Sequence, residues 1–182
     1  MRSTTISIAN LAAAAVVFSS TLSATTLERL SMNDMTDQST VVVRATVTSS
    51  GAEYANGTVS THYVLNVSEV WKGSAGSQLD VYVPGGRAGG FRELVPGAPV
   101  LSVDTEYVVF LWIGRSGRPQ IMGLSQGLFS MTKDSTGTML LERPGAKEMM
   151  IDPATGRPVT DETVRMKASD VKALVKKRQG AQ

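Results

Sequence analysis

Residues 123–127, Gly-Leu-Ser-Gln-Gly, match G-x-S-x-G. In an α/β-hydrolase this turn lifts a serine nucleophile to the top of the sheet, with a strand before it, a helix after it and the triad histidine later in the chain. Here residues 128–132 still read as strand, and the single histidine, His62, precedes Ser125. Serine hydrolysis through Ser125 therefore stands as an alternative beside a plainer reading, a strand bent at two glycines. One histidine without any cysteine makes a poor metal site, because every other ligand would have to be carboxylate or water. The carboxylates Asp80, Glu93, Asp104 and Glu106 show no spacing that pairs them for acid–base work. The expectation is a protein that is not an enzyme and uses no metal or cofactor.

Two groups of residues suit binding better than catalysis. Gly85, Gly86, Arg87, Ala88, Gly89 and Gly90 follow a predicted strand; such a run can present backbone N–H groups to an anion with Arg87 assisting. It lacks the lysine and hydroxyl residue of a P-loop, and no helix follows it, so a plain loop is the competing reading. Trp71, at the end of a long strand, and Phe91, in the glycine-rich loop, are aromatic anchors if they sit at a rim, and core plugs if they do not.

The elements that must position these residues start from one hairpin. Val41, Val43, Ala45 and Val47 alternate with Val42, Arg44, Thr46 and Thr48, so the first set faces a core and the second meets solvent. Asn56-Gly57 supplies the two positive φ angles of a type I′ turn. The return strand places Val59, Thr61, Tyr63, Leu65, Val67 and Trp71 on one face, with His62 on the other. Before the hairpin, residues 26–37 read as a short helix capped by Thr25 or Thr26, with Leu27, Leu30 and Met35 on its apolar stripe. After it, residues 78–83 read as a third strand and residues 84–106 as a long loop without period. Residues 107–113 form a continuous apolar run, the signature of a central strand buried on both faces. Residues 120–132 form a fifth strand bent at Gly123 and Gly127. Residues 139–142 and 147–151 read as a small extra hairpin around Pro144-Gly145, and residues 152–159 as turn chemistry. The last element is a helix from Ser169, with Val171, Leu174 and Val175 on a narrow apolar face.

The N-terminus reads as a secretory signal peptide over residues 1–24. Arg2 is followed by an apolar stretch over residues 6–18, with cleavage after Ala24 or Ser23. That assigns an exported protein, periplasmic or secreted, with no integral membrane span once the signal is removed. An exported chain without cysteine relies on its core alone. From Arg165 onward there are six basic residues and one acidic; setting Arg2 aside, the body holds 11 basic and 15 acidic residues. A body of that sign carries no basic stripe for nucleic acid. The domain plan is a signal over residues 1–24, a barrel domain with its extra hairpin over 25–164, and a basic helical tail over 165–182.

The runs VVVRATV, VSTHYVLNVSEVWKG, LDVYVPGG, DTEYVVFLWI and IMGLSQGLFSM, in that order, resemble a group of exported bacterial proteins of undefined activity. Their fold is similar to the netrin-like module of tissue inhibitors of metalloproteinases. The resemblance implies a mainly β, five-stranded oligonucleotide/oligosaccharide-binding (OB)-type barrel with a short N-terminal and a C-terminal helix. Those inhibitors chelate the protease zinc through an N-terminal cysteine. This chain has none, so no inhibitory residue carries over. The functional expectation is an exported, non-enzymatic module that recognises a protein partner, a secreted protease being one concrete version, through the 84–99 loop. Its binding residues are Arg87, Phe91, Trp71, Gly85, Gly86, Gly89 and Gly90. The alternative is a small-ligand or glycan binder using the face around Tyr63 or Tyr82.

Overall fold

The computed structural model describes residues 26–180, and the expected signal segment lies outside them. In chain order the elements are β1 (Leu27–Glu28), α1 (Met32–Gln38), β2 (Val41–Ala55), β3 (Thr58–Lys72), β4 (Gln78–Pro84), β5 (Gly86–Ala88), β6 (Phe91–Glu93), β7 (Glu106–Ile113), β8 (Pro119–Ile121), β9 (Leu128–Lys133), β10 (Met139–Arg143), β11 (Met150–Ile151), β12 (Pro158–Val159), β13 (Val164–Lys167) and α2 (Ala168–Gln179). The protein is mainly β. Among the described residues no helix is long and apolar enough to cross a membrane.

The largest sheet has the order β13-β10-β9-β7-β2-β3-β4-β8, and β8 pairs again with β7. The sheet thus comes partly round on itself through β7, β2, β3, β4 and β8. The closing contact between β4 and β8 is parallel and rests on Tyr82 opposite Gln120. At the tip of the β2–β3 hairpin, Asn56 (φ 53) and Gly57 (φ 83) adopt the expected pair of positive angles.

Both faces of this sheet are covered where β2 meets β7. Val41, Val43, Ala45 and Val47 join Tyr63, Leu65, Val81, Val109 and Leu111 in an inner core. Val42, expected to meet solvent, is fully buried on the opposite face with Val108, Phe110, Phe129 and Leu141. The helices explain the difference, because Met35 of α1 and Val171 and Val175 of α2 complete that second core. At Val42 the outward face of β2 is roofed by the helices, whereas Arg44 and Thr46 on the same face are half-buried and Thr48 is exposed. Of the run over residues 107–113, expected to be buried on both faces, residues 107–111 are buried, but Trp112 and Ile113 emerge at its end.

Trp71 departs from the face expected of it. Register shifts between Val42 and Val43 and between Arg44 and Ala45 leave Ser68 and Trp71 as extra residues on β3. Each bulge shifts the alternation by one residue. Val67 and Val70 consequently both face the inner core, and Trp71 turns to the helical one.

The N-terminal helix starts later than its apolar stripe suggested. Leu27 and Glu28 pair in parallel with Met150 and Ile151, and α1 begins at Met32 behind Ser31. Ser31 Oγ accepts the Asp34 N–H at 3.1 Å, and the Asp34 carboxylate accepts the Ser31 N–H at 3.1 Å. This reciprocal capping box fixes the start. At the other end Lys72, 8% exposed, donates from Nζ to the carbonyls of Thr36 (2.6 Å) and Asp37 (3.1 Å). A cation on the last carbonyls satisfies groups that a helix end leaves open.

The stretches over residues 139–142 and 147–151 do not pair with each other. β10 lies between β9 and β13, whereas β11 lies between β1 and β12. The turn within residues 152–159 is built as its composition predicts, with Asp152 Oδ1 accepting the N–H of Ala154 (3.0 Å) and Thr155 (2.8 Å). α2 begins one residue early, at Ala168, with Lys167 as an N-cap that makes no side-chain bond. It docks on the sheet. Lys172 pairs with Glu69 and Arg178 with Asp37, the latter with Nε 2.6 Å from Oδ1. The Lys172 ammonium and the Trp71 N–H hold the Glu69 carboxyl below its usual range, and the Arg178 guanidinium does the same for Asp37.

Candidate functional site

The segment over residues 84–103 is a folded surface feature, with structure that its lack of periodicity concealed. β5 and β6 pair as a ribbon through Gly86 opposite Glu93, Arg87 opposite Arg92 and Ala88 opposite Phe91. Gly89 (φ 59) and Gly90 (φ 79) make its two-residue turn. The ribbon lies against the distal half of the β2–β3 hairpin. Gly85 donates its N–H to the Val59 carbonyl at 2.8 Å, and Thr61 Oγ1 donates to the Gly85 carbonyl at 2.8 Å. Glu93 Oε2 accepts the Val59 N–H at 2.7 Å. A side chain on Gly86 would place its Cβ 2.7 Å from Thr61 Oγ1 and 3.2 Å from the Ala52 Cβ.

These glycines serve a close approach and a turn. The Gly85 N–H is already spent on Val59, so it is not offered to an anion. Of the residues expected to bind, Gly85, Gly86, Arg87, Gly89, Gly90 and Phe91 come together in this one feature. Trp71 does not join them. It is 3% exposed, donates Nε1–H to Glu69 at 2.8 Å, and lies at the opposite end of β3. It is a core residue under α2.

Past the ribbon the chain is pinned from below. Leu101 is buried in the inner core, and its N–H donates to the Tyr63 hydroxyl at 3.4 Å; the Ser102 N–H donates to the Tyr107 hydroxyl at 3.1 Å. Asp104 enters the left-handed region (φ 61), and its N–H reaches the Val47 carbonyl at 2.9 Å. Between these anchors the apolar side chains point outward. Phe91 is 55% exposed, Leu94 74% and Val100 82%, and Val103 is exposed as well. Phe91 stacks on the exposed Tyr54 of β2, with ring centroids 4.5 Å apart and planes 14° from parallel.

Two clefts flank this ridge and share Ala98, Pro99 and Val100 in their walls. One, of about 290 Å³, opens between the ribbon and strands β3 and β4, with Thr61, Val83, Arg87, Arg92 and Val95 among its walls. The other, of about 380 Å³, runs between residues 97–100 and residues 142–148 and contains Ser125, Glu142 and Lys147. The ridge with its two clefts is the candidate site.

The tyrosines of the alternative reading are already engaged. Tyr63 is buried and its hydroxyl takes the Leu101 N–H. The Tyr82 ring holds the Arg118 guanidinium 4.5 Å from its centroid and the His62 ring at 4.9 Å. His62 Nε2 lies 2.9 Å from Asp80 Oδ1, on the outer face of β3 as its position in the alternation predicts.

The G-x-S-x-G residues have a structural role of their own. β8 and β9 both pair with β7, and residues 122–127 loop out between them. The fifth strand is thus two short strands. Phe110 marks the handover, accepting the Met122 N–H (2.9 Å) and donating to the Gly127 carbonyl (2.8 Å). Gly123 (φ 58) and Leu124 (φ 60) turn the chain. Buried Gln126 accepts the Leu30 N–H on Oε1 (2.9 Å) and donates from Nε2 to the Glu28 carbonyl (2.8 Å). A Cβ on Gly123 would sit 2.8 Å from Gln126 Nε2, and one on Gly127 2.9 Å from the Phe110 carbonyl oxygen. Ser125 follows Leu124 in this turn, and no helix follows it. Among the described residues no cluster of metal-ligating side chains occurs.

Sequence reasoning missed Arg92, Leu94, Val100 and Tyr54. A signal for Arg92 existed: Arg87 and Arg92 stand at equal distances on either side of Gly89-Gly90, the spacing that sets two residues opposite each other across a two-residue hairpin turn.

No known family model matches the chain. A search of curated proteins gives no match either.

Proposed function

We propose that the protein is an exported, non-enzymatic binding module that docks a protein partner on the ridge over residues 84–103. The observation that carries this reading is where apolar surface is left exposed. Phe91, Leu94, Val100 and Val103 are exposed large apolar side chains of one stretch held on a pinned backbone; Tyr54 stacks against Phe91, and Leu94 and Val100 line one cleft. Interface hot spots favour aromatic and arginine anchors such as Tyr54, Arg87 and Arg92, and a ridge fixed before binding loses little entropy on docking. A secreted protease, met by the ridge at its substrate cleft, is a concrete partner.

The architecture belongs to the same proposal. We read the ring β2, β3, β4, β8 and β7 as an OB-type barrel with a netrin-like resemblance. The antiparallel run from β7 through β2 and β3 to β4, and the parallel closing pair of β4 with β8, support it. β9, β10 and β13 then extend the sheet from β7.

Capture from the exported fraction of the native cell tests the function, with wild type compared against a double variant, Leu94→Ser with Val100→Ser. A secreted protein held by wild type and lost from the variant is the expected result. Equal capture by both forms removes the ridge from the reading. Ester hydrolysis that disappears in Ser125→Ala would establish the hydrolase alternative in its place.

A further inference from the structure

The ribbon places two arginines side by side. Arg87 and Arg92 are directly opposite each other across β5 and β6, and both line the cleft of about 290 Å³. Side chains directly opposite in an antiparallel pair have Cβ atoms about 5 Å apart, and like charges there repel. Elsewhere five guanidiniums are matched; among the described residues Arg29, Arg115 and Arg157 make no salt bridge, but none of them stands opposite a second arginine in a strand pair. Arg44 binds Glu106, Arg118 binds Glu53, Arg143 binds Asp161, Arg165 binds Glu142 and Arg178 binds Asp37. Among the described residues neither Arg87 nor Arg92 has a carboxylate within salt-bridge distance. The one carboxylate of the ribbon, Glu93, accepts the Val59 N–H.

Resting on the docking reading above, we infer that the partner presents an acidic, apolar peptide segment, its carboxylate seated between Arg87 and Arg92 and its apolar side chains on Leu94 and Val100. Two guanidiniums lining one cleft can share a carboxylate and relieve their own repulsion in doing so. The same cleft also carries apolar side chains: Leu94, Val95 and Val100 line it with Val83 and Ala98, beside Thr61 and the Glu93 carboxylate that is bonded to Val59. A purely electrostatic ligand would leave these side chains in water, so the occupant carries both chemistries. A sulfated glycan would satisfy the arginines and leave Leu94 and Val100 uncovered.

The test pans the purified chain against a displayed library of random peptides. Peptides combining Asp or Glu with Leu, Phe or similar residues are the expected enrichment. Their binding should weaken as salt is raised and fall about tenfold or more in Arg87→Glu with Arg92→Glu. That variant should instead enrich basic peptides. Arg87→Gln with Arg92→Gln, which keeps length without charge, should show the loss without the reversal, and unchanged melting of both variants establishes that the ribbon remains folded. Enrichment of peptides without acidic residues, insensitive to the arginine variants but lost in Leu94→Ser with Val100→Ser, would overturn the acidic partner and leave the docking ridge standing. Peptides indifferent to both sets of variants, or no enrichment at all, would overturn both. Binding of a heparin-derived oligosaccharide with no peptide enriched would assign the arginines to a glycan and overturn the inference.

Discussion

The centre of the sheet and the ridge over residues 84–103 treat the same side-chain types in opposite ways. Where β2 meets β7, apolar groups on both faces are covered, and the nearby charges are matched: Arg44 forks onto Glu106 with bonds of 2.8 and 2.9 Å, and Lys172 reaches Glu69. On the ridge, leucine and valine stand in solvent and two arginines face each other. The ridge is nonetheless held by named bonds, from Thr61 to Gly85, from Val59 to Glu93 and from Leu101 to Tyr63. A surface that is fixed yet unsatisfied differs from a loop that is merely loose, and the difference is what marks it for recognition.

Substitutions should separate the two regions, and the widest separation is at Phe110. Its ring is fully buried in the helical core, 5.8 Å from that of Phe129. Phe110→Ala should cost about 3–5 kcal/mol in urea unfolding, and a loss below about 1 kcal/mol would show that the helices do not seal that face. Next is the buried pair of Arg143 and Asp161. Burial pushes the Asp161 carboxyl up, but hydrogen bonds from the Arg143 guanidinium and the Ala146 N–H outweigh it and leave the group below its usual range. Arg143→Met strands that carboxylate and should cost about 3 kcal/mol, whereas Arg143→Met with Asp161→Leu should recover most of the loss.

Gln126→Ala comes third. It removes the partners of the Leu30 N–H and the Glu28 carbonyl, for about 1–3 kcal/mol. Ser125→Ala, one residue away, should leave stability within about 0.5 kcal/mol. Equal losses at the two positions would dissolve the distinction drawn inside G-x-S-x-G. The acid response is smaller and more diffuse. Asp37, Glu69 and Asp161 are all lowered in the folded protein, so the unfolded chain takes up protons first as pH falls. Their contribution is complete above the unfolded values, near pH 4, and is lost progressively below them. The urea midpoint should be flat above about pH 5.5 and drop beneath about pH 4.5. A midpoint that rises on acidification would reverse the sign. Last, Leu94→Ala with Val100→Ala should change stability by less than about 0.5 kcal/mol while abolishing partner capture, the reverse of Phe110→Ala.

Much of the sheet is legible in the sequence because its signals are local. Asn56-Gly57 marks the hairpin turn, and the short apolar run over residues 107–113 reads as a strand buried on both faces. What escaped has non-local causes. The burial of Val42 depends on α2, more than a hundred residues along the chain, together with the neighbouring α1. The face of Trp71 depends on two bulges whose positions alternation alone does not reveal. Leu27 and Glu28 are strand because Met150 and Ile151 offer an edge, a pairing across more than a hundred residues. The ribbon was hidden by its brevity, since three-residue strands carry no measurable period, although its Gly-Gly turn and symmetric arginines were in view. The serine motif says little by itself, because G-x-S-x-G specifies two positions without side chains. Here those positions make room for the Gln126 amide and the Phe110 carbonyl.

The Lys72 ammonium group also has a chemical consequence. Its nitrogen donates to two carbonyls at the end of α1 and is nearly closed to solvent. An amine in that position is shielded from an electrophile until the helix lets go. Under mild acylation Lys72 should therefore be the last lysine of the chain to react, and its labelling rate is a clock for the release of α1 from the sheet.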